Sequence, residues 1–247
     1  MSSSVEKDRV VVITGATKGL GKALSLTFAK AGYEVIGVYK SDSGSAEIIE
    51  SGFKDKQLPG CFVRQDITED GNWIEFDEIV EANRNKHFAL IANASSPFIP
   101  KPFHLIDWTE ISEQLEVNVK GTFHLFRRLL PTMVKARSGN FITILSSALK
   151  DQPKGFAAYL TAKSALEGLT RSAAAEYSER GLRIFSVSPG FMKTSLTDAW
   201  SEHLRTLIDS KDKGVHTPHN IAQKILALAQ DPETKGLGEN YCFEDIL

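Results

Sequence analysis

Short apolar runs alternate with segments whose apolar residues recur every three or four positions, and the alternation persists from residue 10 to residue 243. An apolar run without polar alternation must be buried on both faces, as a strand is in a parallel sheet covered by helices. Residues 10–13, 35–38, 88–91, 141–145 and 184–187 are such runs. A further strand begins at Phe62 and ends near Asp66, and residues 241–243 make a last candidate. Between them Leu20, Leu24, Phe28 and Ala31 have helical spacing, and Gly32 closes that helix. Ile74, Ile79 and Val80 predict another helix, residues 108–134 a long one, Leu166 and Leu169 continue a helix that carries Tyr159, and residues 221–229 make a last one. Residues 41–45 read as a polar loop. The expected fold is α/β, a doubly wound parallel sheet of about seven strands with helices on both faces. In such sheets ligands sit beyond the C-terminal strand ends, here the loops after Ile13, Val38, Ile91, Leu145 and Val187.

A chain of 247 residues suits one large domain, so residues 1–247 are expected to fold as a unit, with residues 1–8 a flexible N-terminus. A net charge of −2 gives no electrostatic reason to expect nucleic acid or an anionic membrane as a partner. Cys61 and Cys242 are the only cysteines and lack Cys-x-x-Cys spacing, which argues against a disulfide framework or a zinc site. His216 and His219 have no accompanying carboxylate or cysteine cluster and are read as no metal ligands. The N-terminus lacks the apolar segment of a signal peptide and no stretch reaches transmembrane length, so a cytoplasmic protein is expected.

Two local patterns carry chemistry. The first strand ends in Thr14-Gly15-Ala16-Thr17-Lys18-Gly19-Leu20-Gly21, where glycines let a backbone approach a pyrophosphate and a helix N-terminus favours its charge. Tyr159 and Lys163 stand four apart, on one face of the predicted helix. An ammonium beside a phenol favours the phenolate. Bringing a tyrosine from about 10 toward neutrality takes about 3 units, roughly 4 kcal/mol. Alone, a Tyr-x-x-x-Lys pair is most often a solvated helix surface.

Together, Thr14-Gly15-x-x-x-Gly19-x-Gly21 and Tyr159-x-x-x-Lys163 resemble the short-chain dehydrogenase/reductases, over residues 9–243. Other positions follow the same order. Asp66-Ile67 resembles the family's aspartate after the third strand, which meets the adenine. Asn93-Ala94 falls where the family has Asn-Asn-Ala-Gly, Asn118 matches its mid-helix asparagine, and Pro189-Gly190-x-x-x-Thr194 matches its loop over the nicotinamide. The resemblance implies a Rossmann-type fold and a catalytic set of Asn118, Ser146, Tyr159 and Lys163. Ser146 is preferred to Ser147 because it stands thirteen residues before Tyr159, the family's common spacing. Ser146 is expected to hold the substrate carbonyl oxygen and Tyr159 to donate the proton. Lys163 is expected to lower the tyrosine's pKa and bind the nicotinamide ribose, and Asn118 to hold a water linking Lys163 to solvent.

Cofactor contacts are expected at Gly15, Thr17, Lys18, Gly19, Leu20, Gly21, Tyr39, Lys40, Ser41, Asp66, Ile67, Asn93, Ala94, Tyr159, Lys163, Pro189, Gly190 and Thr194. NAD-specific relatives commonly carry an acidic residue at the end of the second strand, whereas this chain has Tyr39-Lys40-Ser41 there and no carboxylate until Asp42. Lys18 and Lys40 suit a 2′-phosphate, so NADP(H) is the expected cofactor and reduction the expected direction. The alternative for both lysines is a solvated surface.

Ala92 and Ser95 depart from Asn-Asn-Ala-Gly, and Asn93-Ala94-Ser95 is similar to pteridine reductases. Within the family the chain looks most like the 3-oxoacyl-(acyl-carrier-protein) reductases. Arg137 matches one of their two carrier-docking arginines, and Ala175 stands where the other would be. Phe98, Pro100, Pro102, Phe103, Phe156, Phe191, Met192 and Trp200 fall on segments that border the substrate cleft in relatives. The expected activity is reduction of a ketone or 3-oxo group to a secondary alcohol. The expected substrate is a small-molecule carbonyl compound, an acyl thioester or an aromatic one, and the expected assembly a homodimer or homotetramer. Alternatives are a pteridine reductase, an NADP-dependent alcohol dehydrogenase and a non-catalytic NADP(H) sensor.

Overall fold

A computed structural model describes residues 8–192, 194–198, 200–202, 206 and 217–243. Residues 1–7 of the expected flexible N-terminus, and His216, lie outside the described residues. Asp8 is already in place, its carbonyl accepting the His87 N–H at 2.9 Å.

The described strands are β1 (Arg9–Thr14), β2 (Tyr33–Tyr39), β3 (Gly60–Arg64), β4 (His87–Ala92), β5 (Gly139–Ile144), β6 (Leu182–Ser188) and β7 (Leu237–Cys242). They form one sheet in the order β3-β2-β1-β4-β5-β6-β7, every neighbouring pair parallel. The chain leaves β1 toward one edge, then returns to start β4 on the other side of β1. That reversal opens a crevice at the C-terminal ends of β1 and β4. The helices are α1 (Gly19–Lys30), α2 (Ser43–Asp55), α3 (Ile74–Ala82), α4 (Trp108–Leu115), α5 (Gly121–Ala136), α6 (Ala148–Asp151), α7 (Ala157–Tyr177) and α8 (Pro218–Gln230).

Because side chains alternate along a strand, β1 feeds two cores. Val11 and Ile13 join Leu24, Phe28 and Ile225 of α1 and α8 on one face. Val10 and Val12 join Phe76 of α3 and Leu125 and Leu129 of α5 on the other. All ten are fully buried. Each such side chain stabilises the fold by roughly 1.5–3 kcal/mol relative to exposure.

Two expectations are corrected here. Residues 41–45, read as a polar loop, contain the start of α2. The Asp42 carboxylate caps it by accepting the Ser45 N–H at 3.0 Å, and Ala46, Ile49 and Phe53 bury one stripe. The helix expected over residues 108–134 is continuous only in direction. A π-helical turn, Glu116–Lys120, separates α4 from α5 and has the fully buried Asn118 at its centre. The wider turn shifts the face that the residues beyond it present, a displacement that hydrophobic spacing does not reveal.

Candidate active site

The sheet's C-terminal edge opens into a cleft of about 1240 Å³. Its floor is the turn after β1, where Gly15 (φ +64°) and Gly19 (φ +47°) take left-handed conformations. A Cβ on Gly21 would stand 2.0 Å from the Gly15 carbonyl oxygen, so the first turn of α1 lies directly against the loop. Gly21 therefore shapes the cleft from beneath without lining it. Thr14 joins this turn to β4. Its hydroxyl accepts the N–H groups of Asn93 (2.9 Å) and Ala94 (2.8 Å), and Asn93 Nδ2 donates to the Thr14 carbonyl (2.8 Å). Expected contacts Gly15, Thr17, Lys18, Gly19, Leu20, Asn93 and Ala94 all border the cleft. A close-approach glycine turn opening a helix at the crevice fits a dinucleotide's pyrophosphate.

At the end formed by β2 and β3, Tyr39, Lys40, Asp66 and Ile67 line the wall, and Ser41 does not. Lys40 Nζ lies 2.7 Å from Asp66, and Lys18 pairs with Asp42. Burial opposes the charged form of Asp66, but hydrogen bonds from Lys40 and from the Thr68 N–H (3.0 Å) and hydroxyl (2.8 Å) outweigh it, so the carboxyl sits below its usual range. Both lysines expected to face a phosphate thus have carboxylate partners, one of them supplied by the unforeseen cap of α2.

At the other end β5 delivers Ser146 and α7 delivers Tyr159 and Lys163 to one wall. Ser146 Oγ accepts the Ala148 N–H at 3.2 Å and hydrogen-bonds the Tyr159 phenol. The neighbouring Ser147 is buried, and its N–H donates to the Pro189 carbonyl at 3.1 Å, tying the β5 and β6 loops together. Burial pushes the Tyr159 phenol up to about 12, with the Ser146 hydrogen bond acting in the opposite direction. Burial also pushes Lys163 down to about 7, and its Nζ donates to the Ile144 carbonyl at 2.8 Å. The four-residue spacing by itself predicts that Lys163 pulls the phenol down; in the fold a dry pocket drives both groups toward their neutral forms.

Pro189, Gly190 and Thr194 lie along the β6 side of the cleft. Asn118 does not reach it; it is buried behind, donating from Nδ2 to the Gln114 carbonyl at 2.9 Å. Facing Tyr159 is an aromatic wall. Phe98 is stacked on the phenol ring, Phe156 and Trp200 meet Phe98 edge-on, and Phe191 stacks on Trp200. Pro100, Pro102 and Phe103 are not part of it, and Phe103 is among the most exposed large apolar side chains. Sequence reasoning assigned no role to Thr14, Thr68 or Lys224, which also border the cleft. Thr14 stood in the quoted motif; Lys224 comes from α8, and no local pattern marks it.

The sequence model of the short chain dehydrogenase family matches residues 9–205. The chain belongs to that family and is an NAD(P)-dependent oxidoreductase. The 3-oxoacyl-(acyl-carrier-protein) reductase of Staphylococcus epidermidis is 28% identical over 233 residues, covering 91% of this chain and 92% of its own. An oxidoreductase of Staphylococcus saprophyticus is 26% identical over 235 residues, covering 94% and 96%. Among solved structures, a Beutenbergia cavernae protein described as an NAD(P)-dependent gluconate 5-dehydrogenase, with NADP at low occupancy, superposes with a TM-score of 0.83. The identity is 25%, over 96% of this chain and 95% of that one. No helix among the described residues is long and apolar enough to cross a membrane.

Proposed function

We propose that the protein is an NADPH-dependent reductase that converts a ketone or 3-oxo group to a secondary alcohol, with Tyr159 as proton donor. The observation that carries this reading is the buried Tyr159, hydrogen-bonded to Ser146 at the end of a cleft whose floor suits a dinucleotide. When bound, the cofactor supplies the hydride. The chain's own residues do the rest. Ser146 Oγ holds the carbonyl oxygen, where negative charge develops, and Tyr159 Oη releases its proton to that oxygen. Lys163, behind the phenol, would orient the nicotinamide end and help replace the proton, and the buried Asn118 amide would hold a water that links Lys163 to solvent.

Lys18, Lys40 and Tyr39 bordering the adenosine end favour the 2′-phosphorylated cofactor, and the relative with NADP bound agrees with that preference. The aromatic wall of Phe98, Phe156, Phe191 and Trp200 favours an apolar or aromatic carbonyl substrate. Arg137 closes α5 before β5 begins, at the opposite end of that strand from Ser146. The substrate is therefore proposed to be free or a small thioester. A single domain assembling as a homo-oligomer completes the reading, supported by the exposure of Trp108 and Phe123 on α4 and α5.

NADPH absorbance followed over 3-oxoacyl thioesters, aromatic ketones, quinones and dihydropterins tests the activity and names the substrate class. Tyr159→Phe is expected to lower turnover by about 10²–10⁴-fold while NADPH still binds. Undiminished turnover in that variant overturns the mechanism.

A further inference from the structure

Residues 93–102, which run from the end of β4 past the mouth of the cleft, have no regular secondary structure. Their backbone polar groups need partners from elsewhere. Two come from Gln114, near the end of α4, which is 2% exposed. Its Nε2 donates to the carbonyls of Ser96 (3.0 Å) and Pro97 (3.2 Å). These acceptors fix the amide, since only its nitrogen can face two carbonyl oxygens. Oε1 then points the other way and accepts from Asn118 Nδ2 at 3.2 Å. That nitrogen also donates to the Gln114 carbonyl, so the Asn118 amide is fixed in turn. Its Oδ1 is left buried, with no hydrogen-bond partner among the described residues.

The next residue of the segment, Phe98, lies on the Tyr159 ring with centroids 4.7 Å apart and planes 12° from parallel. Its carbonyl accepts from Trp200 Nε1 at 2.7 Å, so the segment is tied on both sides of the stack. One buried amide therefore stands between the asparagine behind the site and the ring that covers the phenol.

We propose that Gln114 is a positioning residue: its amide sets the orientation of the Asn118 side chain and holds residues 96–98 so that Phe98 lies flat on Tyr159. The catalytic consequence rests on the proposed role of Tyr159; the placement itself does not. A glutamine that only satisfied two loop carbonyls would leave the surroundings of Tyr159 unchanged when replaced. A positioning residue would not, because its loss frees the stacked ring and the asparagine together.

The test is a spectroscopic one on the full chain with ¹³C-labelled tyrosine. The chain has five tyrosines, and the Tyr159 resonance is the one absent from Tyr159→Phe. Phe98→Leu removes the shielding ring and is expected to move the Tyr159 ring signals downfield. Gln114→Met, which keeps the side-chain length without the amide, is expected to move them in the same direction, although its hydrogen bonds run to Ser96, Pro97 and Asn118. Gln114→Leu is the second variant, and thermal melts and NADPH titration establish that each protein is folded. A Tyr159 signal that stays in place in a folded Gln114 variant while Phe98→Leu shifts it overturns the proposal. The outcome is independent of turnover, so loss of the reductase reading through Tyr159→Phe would be seen separately.

Discussion

Lys163 stands one helical turn past Tyr159, yet its Nζ donates to the Ile144 carbonyl at 2.8 Å and lies 5.5 Å from the centre of the phenol ring. Burial lowers this lysine from 10.5 to about 7. Between those two values the unfolded chain holds a proton that the folded chain has released, so stability rises with pH across the window. The contribution is fully present above about 10.5 and is lost as pH falls through about 7. One proton sets an upper slope of about 1.4 kcal/mol per pH unit. Tyr159 acts oppositely: raised from 10 to about 12, it makes stability fall with pH between those values. Thermal melts across pH 7 to 12 are expected to rise and then fall. Lys163→Met should flatten the rise and Tyr159→Phe the fall; an unchanged profile in Lys163→Met would contradict the burial argument.

Cofactor preference is expected to depend on the carboxylates that hold the two lysines. Lys18 is paired with Asp42 and Lys40 with Asp66, and both lysines are more than half exposed. Exposed pairs of this kind contribute about 0.2–1 kcal/mol, so the effects are modest. Asp42→Asn should release Lys18 and tighten NADPH relative to NADH by up to about fivefold. Lys40→Ala should weaken NADPH more than NADH. Fluorescence titration of both cofactors measures this, and equal changes for the two would remove the phosphate assignment.

The adjacent serines should separate cleanly. Ser146→Ala removes the hydroxyl bonded to Tyr159 and is expected to cost about 10²-fold or more in turnover. Ser147→Ala keeps the backbone N–H that binds Pro189, so turnover should stay within a few-fold of wild type. Steady-state kinetics on the two variants decides; the reverse ranking would reassign the serine.

Gly21→Ala should damage the turn after β1. The added methyl would stand 2.0 Å from the Gly15 carbonyl oxygen and 2.9 Å from Asn93 Nδ2, and neither can yield without moving the junction of β1 and β4. Overpacking of this kind costs about 1–3 kcal/mol. A lowered melting temperature together with weakened dinucleotide binding is the expected result, and wild-type binding affinity would show that the turn can relax.

The strands and the β-α alternation were legible in local pattern, because burying a strand on both faces demands a continuous apolar run; their order in the sheet came only from the fold. The Gly15–Gly21 turn and the Tyr159–Lys163 spacing were legible for a similar reason: each is set within one turn of helix or loop. α2 was missed because its start is polar and its cap, Asp42, reads as loop chemistry until Ala46, Ile49 and Phe53 are seen to pack inward. The break at Asn118 was missed because a π-helical turn leaves little trace in hydrophobic spacing.

The electrostatics belonged to the tertiary structure alone. Sequence spacing placed an ammonium beside a phenol and pointed to a lowered pKa. The direction reversed because desolvation depends on what surrounds the pair in three dimensions, and here that is β5 and the aromatic ring of Phe98. The same holds for Gln114, whose partners Ser96 and Pro97 lie far from it along the chain. Residue types and near spacing determine which elements form and which chemical groups are available. Which groups meet, and in how dry a place, is set by contacts between segments distant in sequence, where no periodicity records them.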